Sequence, residues 1–269
     1  MKYKLIASDF DDTFLSTKGT VSDYQLNAVK EFQRLGGKFM LCSGRMFSSI
    51  REEAKRFDIH GDVICYNGAM IANLDTGEIK YHNPMSVESS IKIIKALEDE
   101  NKIIQVYVDD NLYVKEKSKY TDFYCESCKV GYTEVGKLSD YIKLTGKPVT
   151  HIVVVDSPEN VNELYERYKN QNEYAVTPSG ANLIDIVTFS SSKGNAIRAM
   201  CEMYGISLSE CVCCGDSPND ISMLKVAGLG VAVANARDIV KEVADVVTDS
   251  CDNDGVGKII EKIIKGEIQ

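Results

Sequence analysis

Short uninterrupted apolar runs recur along the chain, and most stop at small or acidic residues before a stretch with helical spacing. Runs of this kind suit strands buried on both faces. Their alternation with helices predicts a parallel sheet covered on both sides. Lys4–Ser8 is the first such run. Ser22 to Leu35 then has helical spacing, with Leu26, Val29, Phe32 and Leu35 on one face and Gly36-Gly37 as the stop. Lys38–Cys42 reads as a second strand, followed by Ser43-Gly44-Arg45 and a helix running to about Phe57. Val63–Tyr66 reads as a third, closed by Asn67-Gly68. Toward the C-terminus the rhythm resumes with helix Lys193–Tyr204, strand Cys211–Cys214, helix Pro218–Ala227 and strand Gly230–Val233. Two further helical stretches flank Val246-Val247. The expected fold class is α/β, with a doubly wound parallel core sheet of Rossmann-like type.

The middle of the chain follows another pattern. Helix Val87–Glu100 leads into strand Ile103–Val108, and Asp109-Asp110-Asn111 turns the chain into strand Leu112–Lys115. Strand His151–Val155, helix Glu159–Tyr168 and strands Tyr174–Thr177 and Leu183–Val187 come later, the last pair joined by Pro178-Ser179-Gly180. Paired strands with short turns predict antiparallel sheet. The chain is therefore expected to divide into a core of residues 1–82 and 187–269 and an inserted α+β domain of residues 83–186.

A length of 269 residues accommodates one large domain or two modest ones. The formal net charge of −9 opposes binding to a nucleic-acid backbone, although a local positive pocket can still take a small anion. No apolar stretch approaches the ~20 residues that span a bilayer, and the N-terminal apolar run is too short for a secretory signal. Nine cysteines, mostly in apolar runs, read as buried thiols of a reducing compartment. The single C-x-x-C, Cys125–Cys128, lacks a second pair at zinc spacing and reads as part of an amphipathic helix. The expectation is a cytoplasmic protein with no nucleic-acid or membrane partner.

Parallel sheets gather ligand sites at the carboxyl ends of their strands, and four such positions carry unusual residues. Asp9-Phe10-Asp11-Asp12-Thr13 follows the first strand. Residues two apart leave a strand on the same side, so Asp9 and Asp11 can converge, and close carboxylates call for a cation. Hard Mg²⁺ is the natural partner, and a plain acidic turn is the alternative. Ser43-Gly44-Arg45 follows the second strand, where a helix N-terminus offers N–H groups to a phosphate; Ser43 as an ordinary N-cap is the alternative. Lys193-Gly194 opens a helix, so its cation opposes the helix dipole unless something anionic lies nearby. In Gly215-Asp216-Ser217-Pro218-Asn219-Asp220, helix-start grammar explains Ser217, Pro218 and Asp220. It does not explain Asp216, a buried acid that needs a partner such as a metal shared with Asp9.

Taken together in this order, these residues resemble the haloacid dehalogenase-like (HAD) hydrolase superfamily over the whole chain. DFDDT matches its first motif, Ser43 its second, Lys193 its third and GDSPND its fourth. An insert between the second and third motifs resembles the branch with a large α/β cap. Asn67–Ala69 (NGA), Ser192–Gly194 (SKG) and GDSPND are similar to the Cof-type sugar phosphatases of subfamily IIB. The resemblance implies that Asp9 is the nucleophile and forms an aspartyl-phosphate, and that Asp11 is the general acid and then base. It implies Mg²⁺ held by Asp9, the carbonyl of Asp11 and Asp216, with Asp220 in support. It implies phosphate held by Ser43 and Lys193, assisted by Thr13, Gly44 and Asn219. The substrate it implies is a small phosphorylated metabolite, a sugar phosphate by family, selected by the cap. Asp12 departs from the glycine of many relatives, a variation familiar in this branch.

Other readings are weaker. Gly131 to Leu138 nearly spells a P-loop but fails at Leu138, where a hydroxyl must meet Mg²⁺. Gly228-Leu229-Gly230 lacks the third glycine of a dinucleotide fingerprint. His60, His82 and His151 have no metal spacing and read as surface or packing residues. Two alternatives share the predicted pocket, namely a non-catalytic regulator that binds Mg²⁺ and phosphate, and a phosphomutase using the same intermediate. Retention of both Asp9 and Asp11 favours catalysis, since binding alone requires no separate acid–base group.

Overall fold

A computed structural model describes residues 1–268, Ser127 by its main chain only. The strands β1 (Leu5–Ser8), β2 (Lys38–Leu41), β3 (Asp62–Cys65), β4 (Met70–Asn73) and β5 (Ile79–His82) come first. The middle supplies β6 (Ile103–Val108), β7 (Asn111–Val114), β8 (Thr133–Glu134), β9 (His151–Val155), β10 (Tyr174–Pro178) and β11 (Leu183–Thr188). Last come β12 (Cys211–Gly215), β13 (Leu229–Ala232) and β14 (Val246–Val247).

The central sheet has the order β14-β13-β12-β1-β2, and every pairing in it is parallel. β1, β12 and β13 are buried at every residue, as their uninterrupted apolar sequences require. Strand order reverses between β1 and β12, which places a crevice at their carboxyl ends. Asp9 leaves β1 there and donates its N–H to Cys214 O at 2.9 Å.

The flanking helices obey local rules with a few shifts. Ser22 caps the Asp23–Arg34 helix by accepting from Gln25 N, and Val29 and Phe32 are buried as expected. Leu35 is not part of that face; it ends the helix and stays 43% exposed. The next helix spans Phe47–Arg56 with Met46 at its N-cap, so Ser43 does not open it. The third expected strand meets the central sheet through a single parallel bridge, Cys42 to Ile64. Its main pairing is antiparallel, in a small sheet β3-β4-β5 whose last two strands the sequence reading did not anticipate.

The middle residues build a second sheet in the order β10-β11-β9-β6-β7-β8, antiparallel except for β7 with β8. Helices Val87–Asp99, Leu138–Thr145 and Pro158–Tyr168 contribute to an apolar cluster with one of its faces, including Ile94, Leu97, Val106, Ile142, Ile152, Leu164 and Ile184. The opposite face joins the apolar cluster of the central sheet through Tyr107, Leu112, Val114, Val153 and Val155. The C-x-x-C cysteines lie on a helix, Lys119–Cys128, which begins at a Ser118 cap. Among the described residues no helix is long and apolar enough to cross a membrane.

Candidate active site

At the crevice, the ends of β1 and β12 and the start of the Lys193–Tyr204 helix converge. Lys193 is 1% exposed. Its Nζ donates to Asp9 Oδ1 at 2.5 Å and to Asp220 Oδ1 at 2.6 Å. The anion expected from a lysine at a helix N-terminus is thus present, supplied by two carboxylates. Asp220 Oδ2 accepts from the N–H groups of Asp216 and Ser217, each at 3.0 Å. One of its oxygens therefore closes the 3₁₀ turn Pro218–Asp220 while the other holds the lysine. Asp216 accepts from Thr13 Oγ1 at 2.8 Å and Ser217 Oγ at 2.9 Å. Thr13 is buried and bound to that carboxylate in this structure.

Asp9, Asp216 and Asp220 each offer an oxygen, and these oxygens lie within 4.8 Å of one another. Burial pushes the Asp9 carboxyl well above its ordinary range, against the pull of Lys193, and Asp220, Asp216 and Asp11 push it further. Asp216 is also shifted up, by burial and then by Asp220, against the pull of Thr13, Ser217 and Lys193. Burial works against the charge on Lys193, yet Asp220 and Asp9 more than offset it and hold the ammonium charged. Three buried carboxylates thus face one ammonium, which leaves two negative charges for a divalent cation to balance. A hard oxygen donor set with this charge suits such a cation.

Asp11 stands apart from this triad. Arg45 takes both its oxygens, through Nε at 2.8 Å and Nη2 at 2.6 Å, in the bidentate geometry that fixes a carboxylate most firmly. Asp12 adopts φ 55° and ψ 10°. That left-handed conformation suits glycine, and aspartate is among the few other residues that visit it, which accounts for the departure at this position.

Ser43 is buried at the end of β2, its N–H on Ile64 O at 2.8 Å and its Oγ accepting from Arg45 N at 3.1 Å. The helix-start geometry expected of it is absent, because the chain bends at Gly44 and Arg45 and the helix opens only after Met46. A Cβ on Gly44 would lie 3.0 Å from Asn67 Oδ1, so the glycine admits Asn67 to the site. The Asn67 turn is itself held close to the Lys193 helix. Gly68 has φ +95°, and a Cβ there would lie 2.2 Å from the Ser192 carbonyl. Asn219 donates to Asn67 Oδ1 at 2.9 Å, and Asn67 donates to Asp185 Oδ2 at 2.6 Å.

A cavity of about 210 Å³ opens above these groups, with Asp9, Asp11, Gly44, Asp216 and Asn219 in its wall. Ser43 and Lys193 lie buried beside it. The middle sheet closes the cavity with His151 and Asp185. His151, read from sequence as a surface or packing residue, is 2% exposed, stacks on Tyr107 and faces Asp185 Oδ1 at 3.2 Å. The other two histidines do lie elsewhere: His60 with surface Asp58 and Asp75, His82 against Thr150. Arg45 and Asn67 were legible as parts of SGR and NGA without an assigned role. For His151 and Asp185 the only signal was alternation on adjacent strands.

The sequence matches the haloacid dehalogenase-like hydrolase family over residues 6–260. It is 30% identical to the 5-amino-6-(5-phospho-D-ribitylamino)uracil phosphatase YwtE of Bacillus subtilis, an alignment covering 98% of this chain and 99% of that one. It is 24% identical to the pyridoxal phosphate phosphatase YbhA of Escherichia coli, over 97% and 98% of the two chains. Its fold superimposes on a haloacid dehalogenase-like hydrolase from B. subtilis with a TM-score of 0.88 and 26% identity, over 96% of this chain and 99% of the other.

Proposed function

The chain belongs to the haloacid dehalogenase-like hydrolases, and from that premise we propose that it is a Mg²⁺-dependent phosphatase of a small phosphorylated metabolite, with a sugar-like alcohol and an aspartyl-phosphate intermediate. The observation that carries the reading is the clustering of Asp9, Asp216 and Asp220 at the sheet's switch point, with Asp9 and Asp220 paired to the buried Lys193 ammonium. The residues 83–186 act as the cap that selects the alcohol.

Asp9 attacks phosphorus with a carboxylate oxygen, and the bond to the ester oxygen breaks as the new one forms. Asp11 leaves Arg45, takes up a proton from solvent and passes it to the departing alcohol oxygen. It then takes a proton from water, whose oxygen attacks the phosphoryl group, and Asp9 is released with inorganic phosphate. Lys193, Ser43, the Gly44 N–H and Asn219 hold the phosphoryl oxygens where charge shifts in the transition state. Asp9, Asp216 and the Asp11 carbonyl, with Asp220 in support, would hold Mg²⁺, which would supply the positive charge that lets an anionic nucleophile approach an anionic ester. All nine cysteines are unpaired and eight are buried, which supports a reducing, cytoplasmic setting.

The test is phosphate release from a generic monoester. Purified protein with Mg²⁺ is expected to turn the ester over. Excess EDTA is expected to lower the rate on the order of a hundredfold or more, with return on adding Mg²⁺. Full activity in chelator removes the metal. Phosphate binding without release supports the regulator, and transfer to a second alcohol in preference to water supports the mutase.

A further inference from the structure

Both oxygens of Asp11 are engaged by Arg45, through Nε at 2.8 Å and Nη2 at 2.6 Å. The acid–base step needs at least one of them turned to the ester, so the guanidinium has to let go. The Arg45 side chain is only 16% exposed and its guanidinium lies 5.3 Å from the centre of the Phe10 ring. A cation released in such a place is costly unless another anion receives it.

The second acceptor is already in place. Arg45 Nη1 is buried and makes no hydrogen bond among the described residues. Glu53 Oε1 stands 4.0 Å from it, an ion pair too long for a hydrogen bond. Buried polar groups are nearly always paired, so an N–H group left this close to a carboxylate marks an arrangement that can close. Asp11 and Glu53 are the two carboxylates within 4.0 Å of Arg45 among the described residues.

Glu53 is held from the other side. Its side chain, on the helix Phe47–Arg56, is 5% exposed and accepts from Lys129 Nζ at 2.6 Å and Arg56 Nη1 at 3.3 Å. Burial opposes its charge, but Lys129, Arg45 and Arg56 more than offset this and hold the carboxyl below its ordinary range. Lys129 follows the helix Lys119–Cys128 of the middle residues, in a left-handed conformation at φ 55° and ψ 44°. Beside it Ser49 Oγ donates to Cys128 O at 2.7 Å, and Ser48 N donates to Asp110 Oδ2 at 3.0 Å. The middle residues thus grip the helix that carries Glu53 at three points. Charges alternate from Lys129 through Glu53 and Arg45 to Asp11.

We infer that Glu53 is a positioning residue for the acid–base step: it receives the Arg45 guanidinium when Asp11 turns to the ester, and Lys129 competes with Arg45 for it. The inference rests on the phosphatase reading. No bond forms or breaks at Glu53 and no proton passes through it. Its part is to give the guanidinium a second resting place, and the docking of the middle residues through Lys129 sets how readily that place is taken.

Two esters isolate the step. Glycerol phosphate expels an alkoxide, which needs a proton, whereas para-nitrophenyl phosphate expels a phenolate that leaves without one. Glu53→Gln keeps the shape of the side chain and removes its charge. With Mg²⁺ present it is expected to lower kcat for glycerol phosphate by about tenfold, with KM within about twofold. First-turnover release of para-nitrophenolate is expected to change by less than about twofold. Lys129→Met frees Glu53 for Arg45 and is expected to raise kcat for glycerol phosphate by about twofold, with little effect on folding because Lys129 is 64% exposed. A merely structural contact would act alike when broken from either side. Equal losses on the two esters, or a Lys129→Met rate at or below wild type, overturns the inference. A crystal structure of Asp11→Ala reads the same exchange without turnover: Nη1 should close on Glu53 Oε1 from 4.0 Å to about 3 Å. A guanidinium left in place or turned to solvent overturns the assignment as well. If the wild type hydrolyses neither ester, the phosphatase reading fails. The Asp11→Ala structure then decides alone, closure supporting the exchange between the two carboxylates and its absence overturning it.

Discussion

Asp9→Asn is expected to abolish phosphate release, lowering the rate on the order of 10⁴-fold or more, while the folded protein loses no stability. The two halves of this expectation have separate causes. Asparagine keeps the shape of the side chain but has no anionic oxygen to attack phosphorus, so the covalent step has no nucleophile. Stability survives because the charge removed is an unfavourable one. Burial and the neighbouring carboxylates already push the Asp9 carboxyl well above its ordinary range, and Lys193 keeps Asp220 as its partner at 2.6 Å. In metal-free buffer the variant should therefore unfold at the same temperature as the wild type or somewhat higher. Rapid acid quenching followed by intact-mass measurement should find a phosphoryl adduct on the wild type during turnover and none on Asp9→Asn. A variant retaining a tenth of the wild-type rate would remove Asp9 from the role of nucleophile, whatever its stability.

Much of the site is legible because its residues break local rules. Lys193 at a helix start and Asp216 at the end of a buried strand make no sense alone; the structure gives Lys193 two carboxylates and sets Asp216, bonded to Thr13 and Ser217, beside Asp9 and Asp220. Asp220 is the opposite case. Its place in the helix-start grammar is correct, and that grammar hides its second task, since the same carboxylate also holds Lys193. The boundaries that slipped did so where tertiary contacts outrank local signals. Ser43 looks like an N-cap, but its N–H pairs with Ile64 and the helix opens only after Met46. The β4–β5 hairpin follows a turn so closely that its short strands have no periodicity of their own. His151 and Asp185 were illegible for a different reason. Each sits in an apolar strand on a face that ordinarily packs, and only the placement of that face over the carboxylates gives the polar pair a purpose.

Lys193 carries the second large effect, on stability as well as rate. Lys193→Met is expected to reduce turnover on the order of 10³-fold or more, since the site loses its fixed charge toward the phosphoryl group. It should also destabilise the metal-free protein by about 3–5 kcal/mol, the usual consequence of removing one partner from a buried ion pair. The side chains of Lys193 and Asp220 are both 0% exposed, so water cannot replace the lost ammonium. The loss should be uneven across variants. Adding Asp220→Asn to Lys193→Met removes one of the stranded carboxylates and should recover part of the denaturant midpoint without recovering activity. Lys193→Arg keeps the charge but must fit a planar guanidinium into a slot shaped for an ammonium bound to two carboxylates, so it should be a poor rescue of both. A Lys193→Met protein as stable as wild type in chelator would mean that the ammonium does not neutralise Asp9 and Asp220. The charge imbalance that recommends a divalent cation at this site would then have to be redrawn.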